Sequence, residues 1–354
     1  MKTIGYVRNF INKERLYVWI LIFIIFVNIL NITTGPKVHI KQSKEIKAKE
    51  ESFKYDYSLT QEKLKILMKE KREVVFALNF LVLLVMFSVI SGLMIDFYLV
   101  FNRNKKNAPF EITKENLEVT WNVWDVCKVA VLFVFFGYIL VLSESGLDNI
   151  FPAIKTKEHV RMMVNSSVLD ILAIVFVLYV VVSEYGKKIK NLGLSVSSFF
   201  KNIFIGLSGY LAALPAILGS LLLVVWIAKL VNYEPPVEPV LKLFLEEKNV
   251  IFIFYSAVFV TILGPICEEI FFRGFLFASL RKRMGSVRAI LITSAFFSLL
   301  HTNMIGFIPI MILGVLLAYL YEVTGSLVSP IIVHIIHNTG MMAFIFLLKE
   351  MKIY

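Results

Sequence analysis

Nine apolar stretches separated by polar or charged flanks organise this chain: 16–32, 74–101, 123–142, 164–185, 203–231, 250–280, 287–302, 304–321 and 327–348. Several reach or exceed the roughly 20 residues that a helix needs to cross the hydrocarbon core of a bilayer. The pattern predicts an all-α fold, a polytopic transmembrane bundle of eight or nine spans. The count depends on whether the first run and the closely spaced seventh and eighth are full crossings. Three regions follow: 1–120, an N-terminal membrane region; 121–249, middle helices; and 250–348, a region that concentrates the chemistry.

The first run follows a basic start (Lys2, Arg8, Lys13, Arg15), the charge order of a signal peptide. With no small-residue cleavage site after it, it reads as a retained helix. Residues 36–73 are a polar, lysine-rich insert, and Ser58 to Glu73 alternates Lys and Glu as an exposed helix would. Trp121, Trp124 and Trp226 sit near segment ends, where an aromatic belt is expected.

Composition agrees. Of 354 residues 58% are hydrophobic and 18% charged, with mean hydropathy +0.76, too apolar for a soluble chain of this length. The net charge of +11 sits in flanks and loops, where it orients helices and meets lipid headgroups. Without a phosphate-binding loop, nucleic acid is not an expected partner. Basic loops at Arg103–Lys106, Lys187–Lys190 and Arg281–Arg288 put the N-terminus inside, although the lysine-rich insert then falls outside, against the rule. Cys127 and Cys267 are too few for a disulfide framework or a cysteine-rich metal site, and each reads as a small buried hydrophobe.

Three charges interrupt the sixth run: Glu268, Glu269 and Arg273. Each costs on the order of 2.5–3.5 kcal/mol at mid-bilayer, so they face a protein interior or a wet cavity and mark a functional site. Glu269 and Arg273 are four apart and can pair across one helical turn. Glu268, rotated about 100°, is left available. Gly264-Pro265 just before them can bend the helix and release a carbonyl. Three of the five histidines fall in later apolar runs: His301, His334 and His337. Asn338 shares a face with His334, in a helix opened by Ser329-Pro330. Such a set fits peptide-bond hydrolysis, with a carboxylate taking a proton from water, a histidine holding that water, and histidine and amide N–H groups meeting an oxyanion.

The motifs Glu268-Glu269-x-x-x-Arg273, Phe297-x-x-x-His301 and His334-x-x-x-Asn338 resemble those of the CPBP family, which includes CAAX prenyl endopeptidases related to the Ras-converting enzyme and Abi-type membrane proteases. The resemblance covers roughly 250–345, with a weaker echo in Trp121-Asn122-Val123-Trp124-Asp125. It implies an intramembrane endopeptidase in which Glu268 and His301 activate water, His334 and Asn338 serve the oxyanion, and Glu269 and Arg273 orient the site. His337 lies outside the pattern. The implied partners are a membrane-embedded or lipid-anchored peptide and the bilayer itself, in a bacterial cell membrane, with CAAX processing, peptide maturation and bacteriocin self-immunity as possible tasks.

No cofactor is favoured. Glu268, His301 and His334 are the alternative ligand set for zinc or another divalent metal, but Asn338 suits an oxyanion donor better than a zinc ligand. His-Glu-x-x-His is absent. Gly206-Leu207-Ser208-Gly209 matches the Gly-x-Ser-Gly of rhomboid proteases, yet such small residues commonly serve helix packing. Against the enzyme stand a structural ion pair with satisfied bundle histidines, and a transporter or non-proteolytic scaffold with a Glu/His proton relay.

Overall fold

The computed structural model describes residues 13–34, 69–102, 118–150, 157–233, 235–236, 238–301 and 303–351. Its described residues are helical with short connections, as the apolar runs predict. In order they form α1 (Arg15–Thr34), α2 (Arg72–Phe101), α3 (Val123–Ile150), α4 (Glu158–Leu178), α5 (Phe199–Leu230), α6 (Pro239–Glu246), α7 (Val250–Met284), α8 (Ser286–Leu300), α9 (Phe307–Thr324) and α10 (Val328–Met351). Seven of these are long and apolar enough to cross a membrane, and α1 and α8 carry shorter apolar helices. The nine runs thus map onto nine helices of a multi-pass integral membrane protein. Of the 36–73 insert only residues 69–73 are described, so its expected helix lies largely outside the described residues.

The long helix α7 passes through two π-helical stretches, Phe259–Leu263 and Ile270–Phe277, on either side of the α-helical Gly264–Glu269. π-turns widen a helix and are frequent at functional sites. Here they follow from packing as well as sequence. Gly274 lies so close to the Leu192 carbonyl that an added Cβ would sit 3.0 Å from it. On the same stretch the Trp121 indole donates to the Phe275 carbonyl at 3.0 Å and stacks on the Phe275 ring. Trp121 is fully buried, not a belt residue, while Trp124 and Trp226 are exposed as a belt requires. Its Nε1–H needs an acceptor once the ring is buried, and the irregular helix supplies one. Cys127 is likewise exposed on α3 and Cys267 only half-buried, against the expectation of two buried thiols.

The main core gathers Trp121, Phe275, Phe277, Tyr321, Leu192 and Leu327 behind α7. The turn from α9 to α10 is closed by Gly325, at φ 67°, which any side chain would strain. Leu327 N–H then donates to the Gly193 carbonyl at 2.9 Å. α5 meets α10 through Gly206, where a Cβ would fall 2.9 Å from the Ser329 carbonyl. Gly209 faces α9, where a Cβ would stand 3.1 Å from the Leu320 side chain. The Gly206–Gly209 match to rhomboids is therefore a close-packing surface.

At the start of α7 the ends of three helices are tied by one carboxylate. Glu247 accepts from the Lys248 and Asn249 amides at 2.8 Å each, and its Oε2 meets His159 Nε2 at 2.7 Å and Lys157 Nζ at 3.1 Å. Lys349, near the end of α10, donates to the Glu247 carbonyl at 2.9 Å. The Asn249 amide first, then His159 and Lys157, hold the Glu247 carboxyl well below its ordinary 4.5. A folded-state value depressed in this way contributes stability that is complete above the ordinary value and is lost as pH falls through the folded one. Thermal melts of detergent-purified protein should therefore weaken steadily below about pH 4.5, and Glu247→Gln should be less stable at neutral pH but flatten that acid dependence. Parallel acid limbs in the two proteins would contradict the assignment.

Candidate active site

The site forms where α7, α8, α9 and α10 meet, and its centre is a buried charge network. Glu269, fully inaccessible, accepts from Arg273 Nη1 at 2.7 Å across one turn of α7. The same oxygen receives His334 Nδ1 of α10 at 2.9 Å. A carboxylate only accepts, so Nδ1 carries the proton. Arg273 Nη2 donates to the Gly314 carbonyl of α9 at 3.3 Å, and its guanidinium lies 4.5 Å from the Phe297 ring centre of α8. Gly314 is needed there, since a Cβ would stand 3.1 Å from Ser294 of α8.

Glu268 is the carboxylate left available, as the helical geometry predicts. Its side chain is 31% exposed, and Oε2 stands 3.7 Å from His334 Nε2, beyond hydrogen-bond reach. Among the described residues Glu268 Oε2, Glu269 Oε2 and Arg273 Nε are buried atoms without a hydrogen-bond partner, the kind of group that in a native fold calls for a catalytic or water-binding explanation.

His301 ends α8. Its Nδ1–H donates to the Phe297 carbonyl at 2.7 Å, which leaves Nε2 of the neutral ring as an acceptor. The Phe297 ring contacts both histidines, 4.7 Å from the centre of His301 and 5.6 Å from that of His334. Phe297-x-x-x-His301 thus joins the network through its aromatic member. Asn338 Nδ2 donates to the Val260 carbonyl at 2.9 Å. Val260 lies in the first π stretch, where each carbonyl looks for the N–H five residues on. For Val260 that residue is Pro265, which has none, and the Asn338 amide takes its place.

Glu268, Glu269, Arg273 and His334 are brought together directly, His301 through Phe297, and Asn338 beside them on the wall of α7. His334, expected to serve an oxyanion, turns each ring nitrogen toward a carboxylate. Asn338 spends one of its two amide hydrogens on Val260. Three participants escaped the sequence reading. Asp170, in the span of α4, lies near enough to Glu268 for the two charges to interact. The signal that would have found it is the one used for Glu268, an acid inside an apolar run. Gly314 and Val260 contribute only carbonyls, and no side chain announces those.

Zinc sites of the catalytic kind take three protein ligands. Among the described residues no three His, Cys, Asp or Glu side chains are gathered closely enough to hold a metal. Glu268, His301 and His334 are thus not drawn into one such cluster here.

Residues 250–340 match the family model "Type II CAAX prenyl endopeptidase Rce1-like". The three motifs lie inside that match, so the resemblance read from them holds over this region. A curated protein of Bacillus subtilis (strain 168), named "Putative membrane peptidase YdiL", is 34% identical over 79 residues. That stretch is 22% of this chain and 32% of the relative, so the likeness spans about a third of the relative's length. No solved structure matches.

The network makes a testable demand. Removing one member of a buried ion pair leaves an uncompensated charge, at a typical cost of about 3–5 kcal/mol, whereas removing both is far milder. Arg273→Met alone should lower the melting temperature sharply, and the Glu269→Gln/Arg273→Met double variant should recover part of the loss. Strictly additive shifts in a double-mutant cycle would show the two side chains to be uncoupled.

Proposed function

We propose that this protein is an intramembrane endopeptidase that cleaves a membrane-embedded or lipid-anchored peptide with a water activated by Glu268. The observation that carries the reading is the contrast between two adjacent carboxylates. Glu269 is fully buried and accepts from both Arg273 and His334 through one oxygen, while Glu268 is 31% exposed and has no hydrogen-bond partner among the described residues. One group orients and the other is free to react. The match of residues 250–340 to the CAAX endopeptidase model supports the same chemistry.

In the proposed reaction Glu268 takes a proton from water, and Nε2 of His301 accepts a hydrogen bond from the same water and aligns it. The oxygen adds to the scissile carbonyl carbon, and the remaining amide hydrogen of Asn338 donates to the oxyanion. Collapse breaks the C–N bond, and the proton held by Glu268 passes to the leaving amine. His334, held by Glu269, keeps the Glu268 side of the site polar and fixed in place. No step is routed through a metal. The substrate class, including a prenylated CAAX protein, is part of the proposal, as is placement in a bacterial cell membrane, which the Bacillus relative supports.

The test uses the full-length protein in proteoliposomes with fluorogenic peptides, one set farnesylated at a CAAX cysteine and one carrying an unmodified transmembrane segment. Glu268→Gln should abolish cleavage while the protein inserts and accumulates normally, and chelators should leave wild-type turnover intact. Turnover of Glu268→Gln within a few-fold of wild type would remove the mechanism. Stoichiometric zinc lost in parallel with activity would replace it with a metal-dependent one. Solute uptake that Glu268→Gln abolishes, without cleavage by the wild type, would favour the proton relay of a transporter.

A further inference from the structure

Both side chains expected to receive the oxyanion are partly committed elsewhere. The ring nitrogens of His334 face Glu269 at 2.9 Å and Glu268 at 3.7 Å. Asn338 gives one amide hydrogen to Val260. A site that develops negative charge on a carbonyl oxygen commonly presents more than one aimed donor, so a further N–H or O–H should stand nearby.

His337 is the candidate. It lies on α10 one residue before Asn338 and one turn after His334, rotated about 60° from His334 on the side away from Asn338. His334 and His301 are its charged neighbours. Its Nδ1 is 3.1 Å from the Tyr210 hydroxyl of α5, with the two rings edge to face. The close packing of α5 explains why Tyr210 is there. Gly206 lets α5 press against Ser329 and Val333 of α10, and one turn further along both helices Tyr210 meets His337.

The hydrogen bond between them has a preferred sense. A phenol O–H is a better donor than an imidazole N–H, and an imidazole nitrogen a better acceptor than a phenol oxygen. Among the described residues the Tyr210 hydroxyl has no other hydrogen bond, so donation to Nδ1 also satisfies its own hydrogen. That sets the tautomer: Nε2 carries the ring hydrogen and has no protein partner among the described residues.

We propose that His337 is a catalytic oxyanion donor of this site, its Nε2–H directed by Tyr210, which acts as a positioning residue. The proposal rests on the endopeptidase reading and extends its donor set to the side of α10 that meets α5. Asn338 and His337 would then approach the carbonyl oxygen from opposite flanks of His334.

The experiment measures kcat and KM for His337→Ala, His337→Gln and Tyr210→Phe in the same proteoliposomes. His337→Ala should lower kcat by about 10²–10³, the usual loss for one oxyanion donor, with KM within a few-fold of wild type. His337→Gln keeps an N–H donor and should recover part of that loss. Tyr210→Phe should give an intermediate loss in kcat. An unchanged kcat in His337→Ala, or a loss confined to KM, would overturn the donor role. Equal loss in the Gln and Ala variants would assign His337 to packing. A second readout needs no substrate: with ¹⁵N-labelled histidine, the His337 ring, assigned by its loss from the spectrum of His337→Ala, should hold the Nε2–H tautomer in wild type and lose that preference in Tyr210→Phe. An identical spectrum in Tyr210→Phe would overturn the positioning role even if His337 matters. Absence of cleavage by the wild type would remove the endopeptidase reading, and the donor with it. Cleavage that persists unchanged in His337→Ala would remove the donor alone.

Discussion

An arginine and a glutamate buried together in an apolar bundle can persist only if their hydrogen bonds are met by protein, because lipid offers none. Meeting them fixes the C-terminal half of this molecule. Arg273 takes a carboxylate from its own helix, a carbonyl from α9 and an aromatic face from α8. Glu269 takes a ring nitrogen from α10. Four helices are thereby held around one charge pair, and their mutual positions follow from where those partners must be. The free carboxylate of Glu268 is a by-product of that order. Because Glu269 absorbs the cation and the histidine, its neighbour is left without a partner at the edge of the network.

The irregular stretches of α7 serve the same end. A regular helix would turn all its carbonyls inward upon itself. Here the Phe275 carbonyl also accepts from Trp121, and Val260 is met by Asn338. One anchors the rear of the helix to the segment before α3, and the other ties its front to α10. The weak motif echo around Trp121 therefore has a mechanical meaning. Asp125 accepts from the Asn122 amide at 2.9 Å and the Tyr185 hydroxyl at 2.7 Å, bracing the segment that carries the indole.

Much of this was legible in the sequence. Hydrophobic runs located nine helices, seven of them long and apolar enough to cross a membrane, and the spacing of Glu268, Glu269 and Arg273 separated a paired carboxylate from an available one. The unread parts share a physical reason. A π-turn inserts a residue without changing composition, so periodicity does not announce it, and backbone carbonyls such as those of Val260 and Gly314 have no letter of their own. Trp121 was misplaced because an indole near a segment end suits an interface or a buried hydrogen bond equally well, and only the tertiary acceptor decides. Cys127 was misplaced because lipid and protein interior are alike apolar, so hydropathy does not tell a core-facing residue from a membrane-facing one. His337 stood in plain view, but its partner lies 127 positions away in sequence.

The pairing of Pro265 with Asn338 across α7 and α10 has a consequence for assembly. In the π register the missing amide hydrogen falls opposite one carbonyl, that of Val260, and a single side chain on another helix completes it. If α10 inserted one residue out of step, the hydrogen-bonding position would pass to His337 or Thr339, the amide would swing away, and the Val260 carbonyl would stay bare in a medium that penalises it. The two residues work as a lock and its ward: the bundle closes fully in one alignment, and it is the alignment that also faces His334 with Glu269.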